Sequence, residues 1–73
     1  MDNNRINEIE YTDFYKAIEH ILAGKVAKRK DWSKGIFLQD CFPYALVYRK
    51  DNGQIENYLI FKKDILAKDW ILL

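Results

Sequence analysis

Seventy-three residues make room for one small domain, and a domain of that size buries too little surface to be secure without a disulfide, a metal or a partner subunit. Cys41 is the sole cysteine and His20 the sole histidine, so an internal disulfide is excluded and the chain falls far short of a Cys/His zinc set. Twelve basic against eleven acidic side chains leave a net charge of +1, without the strongly basic balance that binding to long nucleic acid demands.

No apolar run is long enough to span a bilayer, and no signal-peptide core is present. With a free cysteine, this points to a cytoplasmic protein. Neither a metal nor a cofactor is expected. Self-association is the expected support for so small a core.

The chain is read as one domain over 1–73, with residues 1–10 as a partly flexible segment. Ile6, Ile9 and Tyr11 are expected to pack lightly on its edge. Thr12 reads as a helix N-cap, with Asp13 favourable in the first turn. Phe14, Ala17, Ile18, Ile21 and Leu22 then form the apolar stripe of a helix buried on one face. Gly24 is the expected left-handed C-cap. His20 near the helix end reads as a solvated surface histidine.

Lys25 to Lys28 is a predicted strand, and Arg29 to Gly35 a turn. Ile36 to Leu38 is a further short strand. Gln39 to Pro43 is a connection, because proline cannot serve a central ladder. Ala45 to Lys50 is rich in β-formers. Asp51-Asn52-Gly53 signals a tight hairpin in which Asn-Gly accepts positive φ. Ile55 to Phe61 is the return strand, its Tyr58–Phe61 run buried on both faces or on one face against another subunit. Lys62 to Lys68 supplies one or two helical turns with Ile65 and Leu66 inward. Trp70 to Leu73 is a last strand, held in the sheet or in an interface. The fold class is α+β: one N-terminal helix packed on a small antiparallel β-sheet, with a short helical turn before the last strand.

The turn carries the most chemistry. Trp32 has the face to stack on a purine. Arg29, Lys30 and Lys34 surround it with positive charge, and Arg29 or Lys34 suits a phosphate. Ser33 and the backbone at Gly35 suit hydrogen bonds to phosphate or ribose. The other reading of these residues is a core or interface tryptophan in a solvated turn, and both stand at this point. Trp70 reads as the plug of the core with Asp69 bonding its surroundings, and Asp64 as a helix cap. No nucleophile, base and orienting group occur together, so no enzyme is expected. Asp64 and Asp69 are unmatched as an acid–base pair, and Cys41 has no motif around it.

The order Phe14-x-x-Ala17-Ile18, Ala23-Gly24-Lys25-x-Ala27-x-Arg29-x-x-Trp32, and the ending Asp64-Ile65-Leu66-Ala67-Lys68-Asp69-Trp70-Ile71-Leu72, resemble the two ends of the small phage proteins known as Thoeris anti-defence proteins of the second type. The resemblance implies a sponge. Such a protein binds a cyclic ADP-ribose-type signal made by a TIR-domain enzyme, or a cyclic dinucleotide, and sequesters it without degrading it. It implies a homotetramer with ligand pockets between subunits, in the bacterial host cytoplasm.

Carried onto this chain, the resemblance marks Trp32 as a stacking or pocket-wall residue. Ser33 stands where asparagine is usual. Gly35-Ile36 stands for Gly-Met, and Tyr58 for a tryptophan. Phe14 matches an aromatic position near the helix start. The ligand-binding set expected is therefore Phe14, Arg29, Trp32, Ser33, Lys34, Gly35, Ile36, Tyr58 and Lys62, with Arg29, Lys34 and Lys62 facing phosphate. The rival reading is a phage protein–protein interaction module that binds a host factor through its aromatic strands.

Overall fold

The structure is a computed structural model that describes residues 9–73. Most of the expected flexible segment, with Ile6, lies outside the described residues; Ile9 and Tyr11 are exposed. The order of elements is α1 (Phe14–Leu22), β1 (Ala27–Arg29), β2 (Phe37–Leu38), β3 (Leu46–Arg49), β4 (Ile55–Asn57), α2 (Lys62–Ile65) and β5 (Trp70–Leu72). This is the α+β architecture read from the sequence, a helix on antiparallel strands with a short helix before the last one.

The cap of α1 is Asp13, one residue beyond the expected Thr12. Asp13 has extended backbone, and its carboxylate accepts the Lys16 amide at 3.0 Å. Thr12 is committed elsewhere, because its amide and carbonyl exchange bonds of 2.9 and 3.0 Å with Trp70. At the other end Gly24, at φ 90°, allows the chain to double back. Its amide reaches Ile21 O and that of Lys25 reaches His20 O, closing the helix in a Schellman motif. Ala17 and Ile21 are the fully buried residues of the stripe. His20 is half-buried, and its Nε2 lies 2.7 Å from the Leu73 carbonyl oxygen.

The strands divide into two sheets. β1 and β5 form an antiparallel ribbon with Arg29 opposite Trp70. β2, β3 and β4 form a three-stranded antiparallel sheet. Ala27 and Ile36 join the two by mutual bonds of 3.1 and 2.8 Å. Gly35 makes that junction possible by having no side chain. A Cβ there would run into a methyl of Val26 and stand 3.1 Å from the Ala27 carbonyl oxygen. Trp70 is fully buried among Ala17, Ile21, Ala27 and Ile36, and its indole N–H donates to the Asp64 carbonyl at 2.9 Å. It is the core plug expected.

Three local expectations are corrected. The β3–β4 hairpin does not place both Asn52 and Gly53 at positive φ, because Gly53 alone in the loop has it (89°). The Gly53 amide donates to Lys50 O, and the Lys50 amide to Gln54 O, so Asp51 to Gly53 form a three-residue loop. The Tyr58–Phe61 run is not buried on both faces. β4 ends at Asn57, Tyr58 and Ile60 turn toward the core, and Leu59 and Phe61 are exposed. In α2, Ile65 and Leu66 are exposed, while the inward residue is the charged one, Asp64. A turn this short presents few side chains to the core, and Asp64 has the partners to be the one buried.

Candidate functional site: an aromatic pocket beside a buried ion-pair network

The turn after β1 carries Trp32 back over the core. Its amide donates to Arg29 O at 3.1 Å, and its carbonyl accepts Lys28 Nζ at 3.0 Å. The Trp32 ring centroid lies 5.2 Å from that of Trp70, edge to face, and 4.9 Å from that of Tyr58. Trp32 is thus half-buried on the core and half-presented to a pocket. The core reading of this residue is met, and the same ring also lines a cavity.

The pocket has a volume of about 340 Å³ and is lined by Trp32, Ser33, Lys34, Ile36, Tyr48 and Tyr58. Five of these belong to the set expected from the sequence. Tyr48 was missed. Its hydroxyl donates to Glu56 Oε1 at 2.6 Å, which draws that carboxyl below its usual range and pushes the phenol above its own ordinary value. Lys34 Nζ lies 2.7 Å from Asp51 Oδ1, so the pocket's cation is shared with the hairpin loop. That contact draws the Asp51 carboxyl below its ordinary range.

Four expected residues stand apart from this pocket. Phe14 packs on Trp70, ring centroids 5.6 Å apart, on the core side. Gly35 does not line the pocket, and its missing side chain serves the junction with Val26 and Ala27. Lys62 is exposed at the start of α2, outside it.

Arg29 lines a second cavity of about 260 Å³, with Asp31, Trp32, Tyr58, Phe61, Lys63 and Asp64. Its guanidinium is engaged by two carboxylates. Nη1 donates to Asp64 Oδ1 at 2.8 Å, while Nε and Nη2 donate to the two oxygens of Asp69 at 2.5 and 3.2 Å. The fork to Asp69 and the single bond to Asp64 tie the end of β1 both to the residue before β5 and to α2. The bond to Asp69 raises the Arg29 pKa against the opposing effect of burial, and it lowers that of Asp69. A phosphate approaching Arg29 would meet a cation already neutralised.

Asp64 is the centre of that network. It is fully buried. Burial pushes its carboxyl up, but bonds from the Tyr58 hydroxyl (2.8 Å), the Phe61 amide (3.1 Å) and Arg29 outweigh it and hold the group below the ordinary carboxylate range. The Tyr58 phenol, buried and donating to a carboxylate, is pushed up to about 12. The expectation of Asp64 as a helix cap is met in part, since it accepts the Phe61 amide at the start of α2. Asp69, five residues on, is joined to it through Arg29 and forms no acid–base pair with it.

A broader groove of about 990 Å³, lined by residues such as Tyr11, Lys16 and Ile71, lacks this chemistry. Among the described residues that line it, the cation is Lys16, which faces Glu19 at 3.9 Å. Among the described residues no His, Cys, Asp and Glu side chains cluster as a metal site would need, and no helix is long and apolar enough to cross a membrane.

The fold and site define a small α+β domain that presents an aromatic pocket with one lysine on its rim. A family model, that of the Thoeris anti-defense 2-like domain (Tad2-like), matches residues 12–73. The chain belongs to that family, and the role that comes with it is Thoeris anti-defence. No curated protein matches the sequence.

Proposed function

We propose that this protein acts in anti-defence as a sponge, binding a cyclic nucleotide immune signal without chemical turnover. The observation that supports it best is the pocket itself. Three aromatic side chains, Trp32, Tyr48 and Tyr58, line an open pocket together with Lys34 and Ser33. Rings suit a base, an ammonium suits phosphate, and a hydroxyl suits the sugar–phosphate. At about 340 Å³ it lies near the lower end of the range for small-molecule sites, roughly 300–1,000 Å³. It suits one nucleoside half of a cyclic ligand, leaving the other half to a second subunit.

The proposed assembly is a homotetramer in the host cytoplasm. Exposed Leu59, Phe61, Ile65 and Leu66 around α2 support self-association. Lys34 is the proposed phosphate partner. Arg29 acts through structure, and Lys62 through the general field.

The test is calorimetry with cyclic ADP-ribose isomers, cyclic dinucleotides and linear ADP-ribose as control. One cyclic compound is expected to bind tightly and to be recovered unchanged after heating. Trp32→Ala is expected to weaken it by about 1–3 kcal/mol, the usual worth of one base–aromatic stack. Altered ligand would identify an enzyme instead. Silence across the panel from folded, assembled protein would favour the interaction module that binds a host protein.

A further inference from the structure

Trp32 and Tyr58 line both the pocket and the smaller cavity beside it, so their contact forms the wall between them. Neither ring is held by regular secondary structure: Trp32 sits in a turn and Tyr58 just beyond β4. Packing alone leaves such rings free to tilt. Tyr58 has one directional anchor, its hydroxyl, which donates to Asp64 Oδ2.

Asp64 is in turn over-determined. Arg29 holds Oδ1, the Phe61 amide shares Oδ2, and the Trp70 indole N–H holds the backbone carbonyl. The carboxylate therefore has a fixed position from which to orient the phenol. It does not line the larger pocket, so it would touch no ligand there.

We propose that Asp64 is a positioning residue for the ligand pocket, holding the Tyr58 phenol, and through ring contact the Trp32 indole, in the arrangement that receives the base. This rests on the nucleotide reading above. Rings fixed before the ligand arrives lose little freedom on binding, and that saving appears as affinity. A second consequence concerns chemistry. The single phenolic proton of Tyr58 is given to Asp64, so the residue offers a ligand its ring and a lone pair, and no donor. Tyr58 serves as a stacking surface.

The test compares wild type, Tyr58→Phe, Asp64→Asn and the double variant, each shown to be folded. Cyclic ADP-ribose is titrated by calorimetry, and acrylamide quenching of tryptophan is measured without ligand. Trp70 is fully buried, so quenching reports Trp32. Each single variant is expected to weaken binding roughly tenfold, the scale of one hydrogen bond to a charged group. The double variant is expected to be no weaker than the worse single one, because both break the same link. Quenching of Trp32 is expected to rise in all three.

A merely structural Asp64 would lower the melting temperature and leave both affinity and quenching unchanged, and that result overturns the proposal. Should Asp64→Asn fail to fold, Tyr58→Phe decides alone, since it leaves the Arg29–Asp64 pair in place. If wild type binds no cyclic ADP-ribose, the nucleotide reading is what fails for this probe. Quenching then decides the positioning, and unchanged Trp32 accessibility in Tyr58→Phe rejects it.

Discussion

Two ion pairs of nearly equal length lie on opposite sides of the Trp32–Tyr58 contact. Arg29–Asp64 spans 2.8 Å with side chains 21% and 1% exposed, and Lys34–Asp51 spans 2.7 Å with side chains 44% and 94% exposed. Distance makes them look alike, and surroundings make them different. The first is largely desolvated and cross-braced by Tyr58, Phe61 and Asp69, so removing Arg29 strands the Asp64 carboxylate in the interior. The second is in water, where screening and side-chain entropy consume most of the attraction. One pair is structure. The other is an exposed contact on the pocket's lysine, for which the proposed anionic ligand would compete.

The severest challenge to this comparison is Arg29→Ala, which leaves the buried Asp64 carboxylate without its cation. Breaking a buried pair costs about 3–5 kcal/mol, a large share of what a small domain possesses. Thermal denaturation followed by circular dichroism should show a collapse of the melting transition, and a near-normal melt would mean the network is ornamental.

A milder route to the same network is pH. Asp64 and Asp69 have folded pKa values below the ordinary 3.8. The stability they contribute is therefore complete above that value and lost as pH falls through the lower folded values. Tyr58 gives the opposite limb. Its folded value of about 12 exceeds the ordinary 10, so its contribution is complete below 10 and lost as pH rises toward 12. Urea midpoints measured across pH should fall at both ends, with a plateau between.

Gly35→Ala probes the junction between the sheets. Overpacking against Val26 and the Ala27 carbonyl is expected to cost roughly 1–3 kcal/mol, read as a shifted denaturant midpoint with an unchanged slope. The smallest effect belongs to Asp51→Asn. Its denaturation midpoint should stay where it is, while freeing Lys34 should strengthen binding of an anionic nucleotide and steepen its salt dependence. A drop in stability from this variant would erase the distinction between the two pairs.

Much of the fold was legible because it follows from local chemistry. The stripe from Phe14 to Ile21 can bury one face only as a helix, although Leu22, read as part of it, is exposed, and Gly24 ends it for steric reasons. The turn signal at Asp51-Asn52-Gly53 placed a hairpin, although its loop holds one residue more than the dipeptide suggests. Tyr48 was within reach of the same reasoning. Counting outward from that loop pairs Tyr48 with Glu56 and brings Tyr58 beside Leu46, so both tyrosines share the core-side face. The signal for Tyr48 lies in the hairpin register and not in any motif around the residue.

What the sequence determined by itself was periodic or nearest-neighbour: the helix, the strands, the aromatic content of the turn, and the residues resembling a family. What only the tertiary structure decided was the fate of the charges. Arg29 looks like a phosphate ligand beside Trp32. It becomes a brace because Asp64 and Asp69, 35 and 40 residues away, arrive at its guanidinium. Asp64 is buried while its neighbours Ile65 and Leu66 face outward, reversing what hydrophobicity alone predicts. The physical reason is that a charge's preference for water or interior depends on partners brought by the whole fold, and those partners have no signature at short range.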